Sequence, residues 1–122
     1  MYEIQIDHEF CAAHALFVVG LREPKHGHNF KVTASFGARE LDSDGLVVDF
    51  HEAQAALREI CSEWDNRDLN ETPPFDGVNP TAEAIAREIA TRLEGDLGLR
   101  EGVGVAWVSV TEAPGCRAVY RA

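Results

Sequence analysis

The chain has 122 residues, 45% of them hydrophobic, and a formal net charge of -10 at pH 7. This length predicts a single domain, residues 1–122, that buries roughly two-thirds of its unfolded surface. The negative charge argues against binding to nucleic acid or to an anionic membrane, because both need a basic face.

The N-terminal region lacks a basic segment followed by an apolar one, and no apolar run is long enough to span a bilayer. We therefore expect no export and a cytoplasmic location. Cys11, Cys61 and Cys116 are odd in number and widely spaced, which does not fit a disulfide framework. They are interpreted as reduced thiols.

The first predicted element is a strand that ends near His14. Side chains on a strand alternate between two faces, and the odd positions here are polar. The even positions form an inward row, which places His14 at its end. This row is Tyr2, Ile4, Ile6, His8, Phe10, Ala12 and His14.

A second strand begins at His26 and His28, which are two residues apart and share a face that continues into Phe30 and Val32. Zinc binds imidazole readily, and three protein ligands with a free fourth position are typical of a catalytic site. A structural site would need a fourth ligand. The alternative for each histidine alone is an ordinary core or surface residue.

After this strand, Leu41–Gly45 is a turn cluster and Leu46–Val48 a short extended piece. Asp49 is a good N-cap for a helix, with Glu52 as its capping-box partner. His51 lies off the apolar face and is expected to be solvated. The buried stripe of this helix is Phe50, Ala53, Leu57, Ile60, Cys61 and Trp64.

The polar segment from Asp65 to Asn79 is predicted to be a connection. The next helix begins near Asn79-Pro80-Thr81, since proline is tolerated in a first helical turn. Two strands, Val103 to Glu112 and Cys116 to Arg121, close the chain. The helix has the buried stripe Ala82, Ile85, Ala86, Ile89, Ala90, Leu93 and Leu97.

The strand from Val103 to Glu112 is predicted to be apolar on both faces, with Val108 and Val110 opposite Val105 and Trp107. Two helices can cover only one face of the sheet. We therefore predict a homo-oligomer whose other copies cover the second face. The alternative is a single two-layer domain with Trp107 half exposed.

Six pieces of the sequence, taken in order, match one known family pattern: Phe10–His14, His26–Phe30, Val48–Phe50, Asp65 with Leu69-Asn70, Asn79–Glu83, and Glu112 with Tyr120-Arg121. Together they resemble the 6-pyruvoyltetrahydropterin synthase family, which includes 6-carboxytetrahydropterin synthase of the deazaguanine pathway. The resemblance implies an α+β tunnelling fold (T-fold), a four-stranded antiparallel sheet with two helices on one face. It also implies trimers around a barrel, commonly stacked as hexamers, with active sites between subunits.

By position, the resemblance implies that His14, His26 and His28 are the zinc ligands and that Glu112 anchors the pterin ring. A carboxylate suits this role because it accepts two parallel hydrogen bonds from the amidine-like edge of the ring. The alternative for Glu112 is an ordinary carboxylate at the end of a strand.

Two features depart from the family pattern. The segment Gly20–Lys25 lacks the catalytic cysteine that the family has before His-Gly-His, and Arg22 stands near its place. Cys11 is an alternative source of the thiol, but it lies on the opposite strand face from His14 and is expected to pack. Asn66 follows Asp65 where the family has histidine, and an asparagine cannot relay a proton.

Glu23 is a candidate replacement base, since a variant group of the family has glutamate three positions before His-Gly-His. That group is implied to cleave dihydroneopterin triphosphate to 6-hydroxymethyldihydropterin, a folate precursor. Asp65 and Asp68 are candidate assistants in proton transfer. The alternative for Glu23 is a solvated acid paired with Arg22 or Lys25.

The predicted function is a zinc-dependent lyase or synthase acting on the side chain of 7,8-dihydroneopterin triphosphate or a related dihydropterin. One alternative is a catalytically silent homologue that binds zinc and a pterin as a regulatory protein. Another is a zinc hydrolase with an unrelated substrate, which would leave Glu112 without a role.

Overall fold

A computed structural model describes residues 1–122. Two α-helices pack against one face of a five-stranded sheet, and a separate two-stranded hairpin lies beside it. The elements are β1 (Tyr2–His14), β2 (Phe17–Val18), β3 (Leu21–Arg22), β4 (His26–Ala38), α1 (Phe50–Ser62), β5 (Arg67–Asp68), α2 (Ala82–Asp96), β6 (Val103–Ala113) and β7 (Cys116–Arg121).

The sheet has the strand order β5-β1-β4-β6-β7. The four long strands pair antiparallel, as predicted. The fifth strand, β5, was not predicted; it pairs in parallel with Ala12 and Ala13 at the end of β1. Because β5 has only two residues, no alternating pattern could distinguish it from the polar connection in which it lies.

Both helices are capped by side chains. Asp49 accepts a hydrogen bond from the His51 N–H at 2.7 Å, and Thr81 accepts one from the Ala84 N–H at 3.0 Å. The second helix therefore begins at Ala82, and Pro80 precedes its cap. Phe50 was predicted to be buried but is 51% exposed, because the first turn of α1 extends past the core. Neither helix is long and apolar enough to cross a membrane.

The prediction that β6 is apolar on both faces was wrong for Val105. The pairing of β4 with β6 shifts between Ser35 and Phe36, so that Ala106 is an extra residue on β6. Val105 therefore shares the core face with Val108 and Val110. A regular alternation, which the sequence pattern assumes, cannot reveal a bulge.

The sheet face without helices is mostly polar. Cross-strand neighbours on it include Glu9 with Lys31 and Asp7 with Thr33. Trp107 is half buried on this face, where its Nε1 donates to Glu3 Oε1 at 2.8 Å. This hydrogen bond satisfies the indole N–H of Trp107 within the subunit.

The loop between the two histidine-bearing strands contains a hairpin that the sequence analysis did not predict. Strands β2 and β3 pair through Phe17 with Arg22 and Val18 with Leu21, around a turn at Val19 and Gly20. Conversely, the extended piece predicted at Leu46–Val48 is not a strand. Segments of two or three residues are too short to show a periodic pattern, so the sequence could neither predict this hairpin nor exclude a strand at residues 46–48.

Candidate metal and pterin site

The antiparallel register of β1 and β4 determines where the three histidines meet. His14, the last residue of β1, lies directly opposite His26, the first residue of β4, and Ala12 lies opposite His28. Directly paired side chains on one sheet face are about 5 Å apart at Cβ. The register therefore places all three imidazoles at one end of the sheet.

The ligand atoms of His14, His26 and His28 lie within 4.8 Å of one another. His14 is completely buried, and the other two histidines are partly buried. A group of three imidazoles at this spacing can hold a divalent metal ion with nitrogen ligands.

Hydrogen bonds at the opposite ring nitrogens indicate which nitrogen faces the site. His14 Nδ1 lies 2.8 Å from the Pro80 carbonyl oxygen, and His26 Nδ1 lies 2.9 Å from that of Pro24. A carbonyl can only accept, so each Nδ1 carries the proton and each Nε2 presents its lone pair. Metal-binding histidines in proteins are commonly oriented in this way.

The Nε2 atoms of His14 and His28 are buried without a hydrogen-bond partner. Burial is also the main cause that lowers the pKa of His28, and it outweighs the opposing effect of the nearby Glu112 carboxylate. A neutral imidazole is the form that binds a metal. The unpartnered nitrogens and the neutral ring both fit a metal ion at this position.

Glu112, near the end of β6, lies next to the histidines. Its Oε1 is 3.1 Å from His14 Nε2 and 4.0 Å from His28 Nε2. The shorter contact lacks hydrogen-bond geometry, so the His14 nitrogen remains unpartnered. Glu112 also lines a pocket of about 430 Å³ beside Thr81 and Arg117. Its carboxylate is therefore accessible to a small molecule.

Glu23 closes the β2–β3 hairpin and faces the same site. Its backbone N–H donates to the Leu16 carbonyl at 2.9 Å, and its Oε1 accepts from the Leu16 N–H at 3.2 Å. The same oxygen lies 3.5 Å from His26 Nε2. The structure therefore places Glu23 beside the histidines, a position that sequence alone did not provide.

Asp65 binds the backbone of β1 and not the histidines. Its Oδ1 accepts from the Cys11 N–H at 2.9 Å, and no hydrogen bond or ion pair joins it to the three histidines. The next residue, Asn66, has a positive φ of 60° and donates its N–H to the Cys11 carbonyl at 2.6 Å. Asparagine tolerates this left-handed conformation well, which gives Asn66 a structural role.

No hydrogen bond or ion pair joins the side chains of the other candidates, Asp68 and Cys11, to the three histidines. Asp68 is paired with Lys25, and this hydrogen bond is the main cause that lowers its pKa. Cys11 is on the opposite strand face from His14, as predicted, but its side chain is exposed and does not pack in the core. A surface hollow of about 740 Å³ lies at the other end of the sheet around Met1 and Arg100.

Two residues that hold the site together had no assigned role in the sequence analysis. Asn70 and Asn79 were recognised only as parts of motifs, yet their side chains bind the backbone just after His14. The only sign of this role in the sequence was the presence of an asparagine in each motif. Each asparagine binds a residue that is more than fifty positions away in the chain, so the sequence could not reveal the partner.

The chain is similar to known pterin enzymes over nearly its whole length. The sequence profile of the family 6-pyruvoyl tetrahydropterin synthase matches residues 3–122. An Archaeoglobus fulgidus protein, provisionally named 6-carboxy-5,6,7,8-tetrahydropterin synthase, is 30% identical over 109 residues, which cover 89% of this chain and 86% of that protein.

Solved structures share the fold at lower identity. The 6-pyruvoyl tetrahydropterin synthase of Caenorhabditis elegans has a TM-score of 0.83 and 20% identity, over 99% of this chain and 95% of the other. A catalytic-residue mutant of the Plasmodium vivax enzyme, with glutamate replaced by alanine, has a TM-score of 0.82 and 18% identity, over 99% and 97% of the two chains.

These neighbours have the T-fold predicted for this chain, and the observed sheet and helices match it. The family match covers all three histidines, both neighbouring carboxylates and the two helices. The chain therefore belongs to the 6-pyruvoyl tetrahydropterin synthase family.

Proposed function

We propose that this protein is a zinc-dependent lyase acting on the side chain of a dihydropterin, with 7,8-dihydroneopterin triphosphate as its substrate. Membership of the family supports a pterin substrate. The observation that carries the proposal is the meeting of three histidines with Glu112 and Glu23 at one end of the sheet. We also propose that residues 1–122 form a single domain, as the chain length predicts.

The metal ligands in this proposal are His14, His26 and His28, each through Nε2. When bound, zinc would polarise the hydroxyl groups of the substrate side chain and lower their pKa. Three protein ligands leave a coordination position for such hydroxyl groups. The buried, unpartnered nitrogens of His14 and His28 support this assignment.

Glu112 is the proposed anchor of the pterin ring. Its carboxylate lies close to His14 and borders the pocket with Thr81 and Arg117, where it can accept two hydrogen bonds from the amidine-like edge of the ring. This anchoring would direct the side chain of the pterin towards the three imidazoles.

Glu23 is the proposed general base. It would take the proton from the hydroxyl on the second side-chain carbon. The bond between the first and second carbons then breaks, the second carbon becomes an aldehyde, and the first accepts a proton to give 6-hydroxymethyldihydropterin. The catalytic glutamate of the Plasmodium vivax relative is a precedent for this residue type in the family. The 3.5 Å approach of Glu23 to His26 supports the assignment.

Asp65 is kept in the proposal as an assistant in proton transfer. Its exposed position leaves the carboxylate open to groups outside this subunit. We expect Asp65→Asn to reduce turnover while zinc content and pterin affinity stay unchanged. Equal turnover in this variant would remove Asp65 from the mechanism.

The protein is also proposed to be a homo-oligomer, a trimer or a hexamer made of two trimers, with sites at subunit interfaces. The strands near the two open edges of the sheet carry opposite charge, which supports this assembly. β1, which β5 pairs with at only two residues, carries Glu3, Asp7 and Glu9, and β7 carries Arg117 and Arg121. Edge-to-edge pairing would satisfy exposed strand groups. Analytical ultracentrifugation at low and high salt tests this proposal, and a monomer in both would contradict it.

The decisive experiment incubates zinc-loaded protein with dihydroneopterin triphosphate and separates the pterin products by chromatography. Glu23→Gln is the sharpest variant, because its amide oxygen can still accept from the Leu16 N–H but cannot act as a base. We expect it to retain zinc and lose product, while Glu59→Ala, an exposed site on α1, behaves as wild type. Undiminished product from Glu23→Gln would contradict the mechanism.

A catalytically silent pterin-binding protein is the second candidate. The missing cysteine before His26 favours it, as does the structural position of Asn66 where the family has a relay histidine. Tight pterin binding without any product would support this candidate. A 6-carboxytetrahydropterin product would instead indicate the reaction named for the Archaeoglobus fulgidus relative.

A further inference from the structure

Two asparagine side chains bind the backbone that follows His14. Asn70 Oδ1 accepts from the Ala15 N–H at 2.7 Å, and its Nδ2 donates to the Ala15 carbonyl at 2.9 Å. Asn79 makes the same pair of bonds with Phe17, at 2.8 Å and 2.9 Å. Each carboxamide therefore acts as the peptide group of a neighbouring strand would.

These contacts begin where strand pairing stops. β1 ends at His14, and β5 pairs only with Ala12 and Ala13. Residues two apart in an extended chain direct their backbone groups to the same side. Ala15 and Phe17 have this spacing, so the two asparagines continue the edge pairing of β1 past the metal-ligand position.

Asn79 is connected to His14 by a second route. The next residue, Pro80, is buried, and its carbonyl lies 2.8 Å from His14 Nδ1. We call the pair of hydrogen bonds that each asparagine makes with the backbone a clamp. The Asn79 clamp on Phe17 therefore holds in place the Pro80 carbonyl, which keeps the His14 proton on Nδ1. Displacement of this loop would release that constraint on the ring.

The two clamps also flank the residue that holds Glu23. Leu16 lies between Ala15 and Phe17, and both its N–H and its carbonyl bind Glu23. The same stretch of backbone thus links the orientation of His14 to the position of Glu23. Asn70 acts on the His14 side of Leu16, and Asn79 acts on both.

We propose that Asn70 and Asn79 are positioning residues that set the metal affinity of the histidine site and the placement of Glu23. This inference rests on the proposed zinc-dependent function. A purely structural role for the asparagines would lower the stability of the variants but leave the metal affinity of the folded protein unchanged.

The test uses Asn79→Asp and Asn70→Asp, which keep side-chain shape but remove the N–H donors and bring a carboxylate oxygen towards a carbonyl. Zinc affinity is measured by chelator competition well below the unfolding temperature. Loss of groups that orient metal ligands commonly weakens binding about 10- to 100-fold, and we expect this for Asn79→Asp. We expect a smaller loss for Asn70→Asp, since Asn70 is not joined to Pro80.

Asp49→Ala is the matched control, because it removes the N-cap of α1 and does not touch the clamps. It should lower the unfolding temperature without changing zinc affinity. ¹⁵N NMR of the metal-free protein gives an independent readout: His14 should be the Nδ1–H tautomer in wild type, and a mixture in Asn79→Asp. If Asn79→Asp does not fold, Asn79→Ser is measured instead, because it also breaks both bonds to Phe17.

Unchanged zinc affinity and an unchanged His14 tautomer in a folded Asn79 variant would overturn this inference and leave the proposed function standing. Wild-type protein that binds no zinc would overturn both. Weaker zinc binding in both clamp variants, with normal binding in Asp49→Ala, is the result that supports the inference.

Discussion

Glu112 Oε1 lies 3.1 Å from Nε2 of His14, so the carboxylate proposed to hold the pterin contacts a nitrogen proposed to hold the metal. The two residues come from opposite ends of the chain, and β4 lies between their strands in the sheet. The contact is not a hydrogen bond, so the ring nitrogen stays available for a metal and the carboxylate stays available for the pterin. The two proposed sites therefore adjoin each other.

Glu112→Ala is expected to weaken pterin binding and leave zinc content unchanged. Hydrogen bonds to a charged group contribute about 1.5–3 kcal/mol, which corresponds to roughly a 10- to 150-fold loss of affinity. Isothermal titration with the pterin and elemental analysis for zinc measure the two effects. Loss of zinc in this variant would show that Glu112 belongs to the metal site instead.

Cys61 is expected to resist modification in the folded protein. Burial is the main cause that raises its pKa from 9.0 to about 12, with the charge of Asp65 adding to the effect. Cys11 and Cys116 are exposed. A thiol reagent at mildly alkaline pH should therefore label two cysteines quickly and the third only after unfolding. Fast labelling of all three would contradict the buried position of Cys61.

The same shift predicts a loss of stability at alkaline pH. Between pH 9.0 and about 12 the unfolded chain releases the Cys61 proton while the folded protein keeps it. The free energy of unfolding should therefore fall as pH rises, by about 1.4 kcal/mol per pH unit from this group. Denaturant titrations of wild type and Cys61→Ala measure this. Equal slopes in the two proteins would contradict the prediction.

Val19→Asn is expected to stabilise the β2–β3 hairpin. Val19 has a positive φ of 52° and is 96% exposed, so the valine bears backbone strain without packing in this subunit. Two-residue hairpin turns favour asparagine at such a position, and relief of the strain is worth about 1 kcal/mol.

Thermal unfolding measures this effect, and Val18→Asn, at an extended position of β2, is the control that should bring no gain. A clear loss of stability in Val19→Asn, together with weaker self-association, would indicate instead that neighbouring subunits cover the hairpin tip.

Glu94→Ala is expected to destabilise the bulge in β6. Glu94 Oε1 accepts from the Val105 N–H at 2.6 Å, and the shifted register of β6 directs this group towards α2. Removing the acceptor should cost about 1–2 kcal/mol, and Glu94→Gln should cost less because its oxygen can still accept.

Gly104→Ala should disturb the same hydrogen bond between Val105 and Glu94. A Cβ atom at position 104 would lie 3.3 Å from Glu94 Oε1, so the carboxylate would have to move. Chemical denaturation compares the three variants. Wild-type stability of Glu94→Ala would mean that the bulge does not depend on this hydrogen bond.

The long elements were predictable because their patterns repeat over many residues. The alternation that ends at His14 and the helical stripe from Ala82 to Leu93 each span several periods, so a single exception does not obscure them. The short elements were not predictable for the opposite reason. β5 and the β2–β3 hairpin are formed by contacts with other segments, and their own sequences contain no periodic signal.

The sequence by itself determined the chemistry available to this protein: three imidazoles contributed by two strands, and carboxylates at Glu23 and Glu112. Only the tertiary structure decided which groups meet, because their distances depend on strand register and on loops far apart in the chain. It placed Glu23 beside His26 and directed Asp65 to the backbone of Cys11. The folded structure also brings Asn70 and Asn79 to the backbone after His14, because hydrogen bonds between distant residues form only once the chain has folded.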